Sequence, residues 1–295
     1  MQTSERRRVG HTQSVPDRTD WSSPLQGARA GGRYIEVRKV IVLLLLAVSL
    51  SACAATPTAG PGGPGAPVAD RSYSAAVLSD APAAYWRLGE SSGTTMTDAS
   101  KNANNGTYAG GVSLAQPGAL TSDNGTAAAF DGRTGGATVA SSRSLQVNRI
   151  TIELWLKKTA DSGYGIYVAK NFVGNGGVGT GWFELMNNDR YGRLEFRVTG
   201  DTDPVLVSAT NLVLNTWYYV VATYDGTVAK LYFNGKLDST LRIVATPAQN
   251  DDPLYIGRRA DGFFNNVVLE EVAIYPTALS ADRIAAHWRA ATTNP

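Results

Sequence analysis

Glu270 and Glu271 stand side by side near the C-terminus, and two carboxylates are what glycosidic hydrolysis needs. That chemistry requires both groups to face one cleft, about 5–10 Å apart, one protonating the leaving oxygen and the other acting as base or nucleophile. Val267 to Tyr275 is rich in β-branched residues and reads as a strand, where neighbouring side chains point to opposite faces. On that reading the pair cannot share a substrate. Glu184 and Glu195 are the next candidates, but a turn separates them. A Glu-x-Asp-x-x-Glu strand, whose alternation aims carboxylates into one cleft, does not occur. His287 is the only histidine after His11 and is expected on the surface of a C-terminal helix. One histidine and one cysteine do not supply a Ser-His-Asp or Cys-His arrangement, nor a His/Cys zinc site. The chain is therefore not expected to be an enzyme.

Binding chemistry has better candidates. Gly174 to Gly179 formally matches G-x-G-x-x-G, but a dinucleotide site needs a helix after it, and Gly181 to Met186 reads as a strand. A glycine-rich loop is the better description. Around it stand Tyr164, Phe172, Trp182 and Tyr191, with Asn187, Asn188, Asp189 and Arg190 close by. Aromatic rings stack on the apolar faces of sugars while amides bond their hydroxyls. Trp182, Tyr164, Asn187 and Arg190 are thus candidate ligand-binding residues, against the alternative that the aromatics are core. Trp155 and Trp217 are expected in the core.

The single cysteine, Cys53, follows Arg38-Lys39 and a mostly apolar run of 11 residues, Val40 to Leu50. Spanning a bilayer takes about 20 residues, and Pro57 stops a helix soon afterwards. Leu50-Ser51-Ala52-Cys53 resembles the lipobox of bacterial lipoproteins, which implies a lipidated cysteine as the first residue of the mature protein. A cleaved ordinary signal and a membrane anchor are the alternatives. Acyl chains would hold the protein at about 0.8 kcal/mol per buried CH2. On this reading the protein is exported and anchored to the outer face of the cell membrane.

Residues 1–36 are polar, without apolar periodicity, and are expected to be disordered or wrongly assigned upstream of a start at Val37. Residues 37–53 form the signal and 54–72 an Ala/Gly/Pro tether. From Cys53 onward the chain carries 19 Lys/Arg against 21 Asp/Glu, a net charge of −2 that gives nucleic acid no basic footprint.

Residues 73–291 read as short strands separated by Gly, Asn and Asp turns. Trp217 to Tyr224, Asp225-Gly226, Val228 to Phe233 and Asn234-Gly235 form a meander. Leu231 and Phe233 face one side and Tyr232 the other. Further strands are expected at 127–130, 137–139, 150–157, 166–170, 181–187, 194–198, 205–209, 254–257 and 267–275. A short helical turn is expected at 74–78. A helix begins after Ser280 and runs to about Ala290, burying Ile284 and Trp288.

Ala84-Tyr85-Trp86-Arg87-Leu88-Gly89-Glu90, Phe130-Asp131-Gly132, Ile152 to Leu156 and Trp217 to Ala222 stand in an order that resembles the laminin-G-like, concanavalin-A-like jelly rolls. Leu231 to Lys236, Leu254 to Gly257 and Glu270 to Tyr275 continue it. The resemblance implies an all-β fold of two antiparallel sheets, with a short C-terminal helix and terminal segments that pair. It also implies a non-catalytic domain that binds an extracellular carbohydrate or protein, with a glycan-processing hydrolase or a purely structural envelope protein as alternatives. Such domains often hold a structural Ca2+, for which Asp98, Glu270 and Glu271 are the candidate ligands. An Asx turn at Asp98 and a solvated glutamate pair are the alternative. The resemblance departs at Val267 to Glu271, where an upstream glycine is missing and Glu replaces Asp.

Overall fold

Trp217–Tyr224 and Val228–Phe233 pair antiparallel, with Val220 opposite Phe233 and Tyr224 opposite Ala229. Three residues, 225–227, join them, one more than Asp225-Gly226 alone predicts. The Asp225 side chain closes this wider loop by accepting from Thr227 N, Thr227 Oγ1 and Val228 N. The following turn has two residues, because Phe233 pairs with Lys236. Asn234 at φ +49° and Gly235 at φ +77° supply the two left-handed conformations that a type I′ hairpin requires.

The computed structural model describes residues 72–120, 125–170, 183–188, 192–198, 205–244 and 250–293, all within the compact unit Pro64–Pro295. Two helices, α1 (Tyr73–Ser79) and α2 (Ala281–Thr292), bracket the strands. The first half holds β1 (Ala84–Trp86), β2 (Thr95–Met96), β3 (Gly106–Ala109), β4 (Val112–Pro117), β5 (Thr126–Asp131), β6 (Gly136–Val139), β7 (Ile150–Lys158) and β8 (Ile166–Lys170). The second half holds β9 (Phe183–Asn188), β10 (Arg193–Arg197), β11 (Leu206–Asn211), β12 (Trp217–Tyr224), β13 (Val228–Phe233), β14 (Lys236–Arg242), β15 (Leu254–Ile256) and β16 (Asn266–Tyr275).

They form two antiparallel sheets. The first runs β14-β13-β12-β7-β16-β5-β4, with β1 also on β16, and the second runs β11-β10-β9-β8-β15-β6-β3-β2. Ala84, Tyr85 and Trp86 pair with Ile274, Ala273 and Val272, so the terminal strands meet as expected. Between the sheets Leu154, Leu156, Val220, Leu231 and Ile274 meet Val168, Leu185, Phe196 and Ile256 in one continuous core.

A second apolar layer covers the outer face of the first sheet. Tyr85, Trp155, Tyr219, Tyr232 and Tyr275 lie there with Tyr73, Val77 and Ile284 of the helices. Each large side chain so buried contributes about 1.5–3 kcal/mol. Both faces of β7 are thereby covered, which is why it reads as a near-continuous apolar run rather than an alternation.

Ser280 caps α2 by accepting from Arg283 N, and Ile284 is buried as expected. Two expectations are corrected. Trp288 is only half-buried, and the residue buried beside Ile284 is His287, one position earlier on the same helical face. Trp217 is half-buried too, with the Lys157 ammonium 4.9 Å from its ring centroid. No helix among the described residues is long and apolar enough to cross a membrane.

Candidate functional site

Glu270 and Glu271 sit on a β-bulge. Along the β16–β7 ladder Glu270 opposes Trp155 and Ala273 opposes Glu153, so β16 advances three residues where β7 advances two. The extra residue is taken up at Glu271, whose φ is +56°. Leu269 and Val272 both face the core, so both glutamates between them point outward. This corrects the opposite-face expectation: alternation holds only while a ladder stays in register, and an inserted residue resets it.

The two carboxyls meet different partners. Glu271 accepts from the Tyr85 hydroxyl and from Arg87 Nε at 3.0 Å. Glu270 Oε1 accepts from the backbone N–H groups of Ala119 and Leu120 at 3.0 and 2.9 Å. Glu270 Oε2 is buried with no hydrogen-bond partner among the described residues. Burial pushes both carboxyls up to about 7, against the pull of Arg87 on each, of Tyr85 on Glu271 and of the amides on Glu270. Gly118 makes the Glu270 position possible, because a Cβ there would collide with Oε2.

These residues do not fit a divalent cation. Ca2+ takes six to eight oxygens. Asp98 is spent on four donors: Tyr85 N and Ser100 N on Oδ1, and Ser100 Oγ and Asn104 N on Oδ2. Glu271 already has a guanidinium as its cation. No group of three or more His, Cys, Asp or Glu suited to a metal occurs among the described residues. The glutamates are buried, not the solvated pair of the alternative reading, whereas Asp98 does form an Asx turn.

Beside Glu271 opens a cavity of about 400 Å³, lined by Arg87, Glu90, Thr97, Thr126 and Glu271. Glu90 is fixed by Thr97 N at 2.8 Å and the Tyr108 hydroxyl at 2.9 Å.

Glu184 and Glu195, separated by a turn in the sequence, stand on the adjacent strands β9 and β10. Arg197 bridges them, binding Glu195 through Nε and lying 3.9 Å from Glu184 through Nη1. Arg259 Nη1 lies 3.4 Å from Glu184 Oε2, and Asn188 donates to Glu195 Oε2. Both carboxylates are buried within this network.

His287, expected on the surface, is fully buried under α2. Its Nδ1 lies 3.0 Å from both oxygens of Glu153, and its Nε2 lies 3.1 Å from Asp80 Oδ2. The hydroxyls of Tyr73, Tyr219 and Tyr275 also donate to Glu153, at 2.7, 2.8 and 2.8 Å. Burial works against the charge on Glu153, but His287 and these hydroxyls outweigh it and hold the carboxyl below its usual range. Burial likewise disfavours the imidazolium, and Glu153 outweighs that, raising His287. An acidic residue inside the apolar run Ile150 to Leu156 was the sequence signal for this cluster.

Of the candidate ligand residues, Tyr164 is 42% exposed. Asn187 is instead buried, accepting from the Tyr167 hydroxyl at 2.6 Å and donating to Asn265 Oδ1 at 3.1 Å. It braces the sheet and does not face a ligand. Trp182, Arg190, Cys53 and the Gly174–Gly179 loop lie outside the described residues. Ile166 N donates to Phe263 O, which brings the segment next to Tyr164 against Phe263. Phe263 is also 42% exposed and has the Arg259 guanidinium 4.1 Å from its ring centroid.

The family model described as the concanavalin A-like lectin/glucanases superfamily matches residues 131–285, more than half of the chain. The chain belongs to this superfamily. Solved structures of similar fold include the binding domain of Paraclostridial Mosquitocidal Protein 1, with a TM-score of 0.56 and 16% identity. That match covers 72% of this chain and 52% of the other. The binding domain of botulinum neurotoxin serotype D gives 0.55 and 15%, over 72% and 52%. Trypanosoma rangeli sialidase in complex with the inhibitor DANA gives 0.52 and 16%, over 70% and 32%. The chain thus spans about half or a third of these neighbours, and at such identities the likeness is one of fold. No curated protein sequence matches the chain. The superfamily contains both lectins and glucanases, so membership leaves the choice between binding and hydrolysis to the residues.

Proposed function

We propose that this concanavalin A-like sandwich binds an extracellular carbohydrate or protein ligand without catalysis, tethered to the outer face of the cell membrane by lipid on Cys53. The observation that carries the non-catalytic part is the engagement of the paired carboxylates. Glu184 and Glu195 are bridged by Arg197, and Glu271 is held by Arg87 and Tyr85. Glu270 is held by two backbone amides. A glycosidase needs an acid and a base turned toward one open cleft. Exposed Tyr164 and Phe263 beside Arg259 support ligand contact at the loop end, where rings on a rigid sandwich meet a partner. Screening the full chain on a glycan array tests the carbohydrate reading; binding that falls in a Tyr164→Ala variant supports the loop end as the contact.

One observation favours the hydrolase alternative: Glu271, pushed up to about 7, lines the Arg87 cavity of about 400 Å³. Release of reducing ends from any arrayed glycan, abolished by Glu271→Gln, would replace the binding reading.

A further inference from the structure

The geometry points to a neutral-oligosaccharide site at the seam where β11 and β14 bring the edges of the two sheets together. It rests on the carbohydrate reading above and concerns a different surface from Tyr164. The Asp238 carboxylate of β14 clamps this seam by accepting from Ala209 N, Thr210 N and Thr210 Oγ1 of β11, at 2.7, 3.0 and 2.5 Å. Next to the clamp lies a groove of about 430 Å³, within the range of ligand pockets.

Three aromatic residues line it: Tyr218, Phe233 and Trp288. The Trp288 ring lies within 22° of Trp155 and 27° of Tyr219, with centroids 5.5 and 5.9 Å away. Those two rings are themselves 5.4 Å apart, too close to flank Trp288 from opposite sides. Both support one face of the indole, and the half-buried ring lines the groove. Gly235 lets the turn approach, since a Cβ there would stand 2.8 Å from Trp288 Cβ and Cγ. Tyr218 meets Phe233 edge-on at 6.0 Å, and its hydroxyl accepts from Val213 N, which leaves its proton for a ligand. Asn234 accepts from Tyr219 N through Oδ1, which leaves its NH2 group as a donor.

Supported rings with donors at the rim match a pyranose, which has apolar C–H faces and hydroxyl oxygens around its edge. The groove's charged side chains are one ammonium, Lys236, and one carboxylate, Asp238. That balance gives no advantage to an anionic sugar and commits the site to a neutral one.

The test is titration of the full chain, in detergent, with cellohexaose, laminarihexaose and chitohexaose, and with oligogalacturonate as the charged comparison. The expected result is binding of at least one neutral probe. Leu237→Trp, at a residue 55% exposed in the groove wall, and Lys236→Ala at the exposed rim should each weaken it about tenfold. Both variants should melt as wild type does. If a neutral probe binds while Leu237→Trp and Lys236→Ala bind as wild type, the seam is not the site, although the carbohydrate reading stands. Binding of oligogalacturonate alone overturns the neutral specificity. Binding of no probe overturns the seam site, while the carbohydrate reading is decided by the glycan array.

Discussion

His287 Nδ1 stands 3.0 Å from both carboxylate oxygens of Glu153, a residue 134 positions earlier in the chain. The contact joins α2 to the centre of the first sheet, and three tyrosine hydroxyls satisfy the same carboxylate. Removing one partner strands the other charge in a buried layer. Glu153→Gln and His287→Ala should each destabilise the fold by about 3–5 kcal/mol, read as a fall in urea midpoint. The double variant should cost less than the sum, because each single change already breaks the pair.

The same pair gives a pH dependence on both sides. Glu153 is lowered in the fold, so its contribution is present above the unfolded value near 4.3 and is lost as pH falls through the folded value. His287 is raised, so its contribution is full below about 6.5 and is lost as pH rises through its folded value. Thermal melts across pH should show stability declining at both ends. His287→Gln should abolish the alkaline decline that this pair causes.

Glu270 and Glu271 act in the opposite sense from Glu153. Their folded values of about 7 exceed the unfolded value near 4.3, so the fold binds more protons and stability falls as pH rises between the two. Glu270→Gln keeps an oxygen for Ala119 N and Leu120 N and removes the charge. It should be near neutral at pH 5 and stabilise by about 1–2 kcal/mol at pH 8. A melting-temperature gain that is the same at both pH values would contradict the assignment.

The fold was legible wherever side chains alternate between a wet and a dry face or fill a buried strand. β8, β12 and β13 were predicted residue for residue, and β16 to within one residue at its start. β4 was missed because Val112-Ser-Leu-Ala-Gln-Pro117 is a half-exposed edge strand with few large residues. β1 was seen only as a motif, since three residues are too few to show a period. The candidate sites were less legible than the fold, for two reasons. A bulge moves Glu271 without leaving a glycine or turn residue in the sequence. The partners of Glu153 and Asn187 lie on elements that only the folded topology brings near.

Cys53 carries the proposed localisation, and its test is independent of the sandwich. Cells fed an alkyne-tagged fatty acid should label the wild-type chain and leave Cys53→Ser unlabelled. The variant should also leave the membrane fraction. An unlabelled wild-type chain would remove the lipid anchor, and with it the outer-face assignment.

Gly118 and Glu270 provide the last prediction, because one residue has no side chain so that the other can be buried. A Cβ at Gly118 would collide with Glu270 Oε2 and would stand 2.7 Å from the carbonyl oxygen of Gly125. Neither a buried carboxylate held by two amides nor a backbone carbonyl can easily give way. Gly118→Ala should therefore cost about 1–3 kcal/mol, the range for overpacking. In Gly118→Ala/Glu270→Ala the carboxyl half of the clash is gone while the carbonyl half remains. The double variant should be less destabilised than the two single changes predict by addition, with an interaction energy of about 0.5–2 kcal/mol. Strict additivity would mean that the Gly125 backbone alone excludes a side chain at this position.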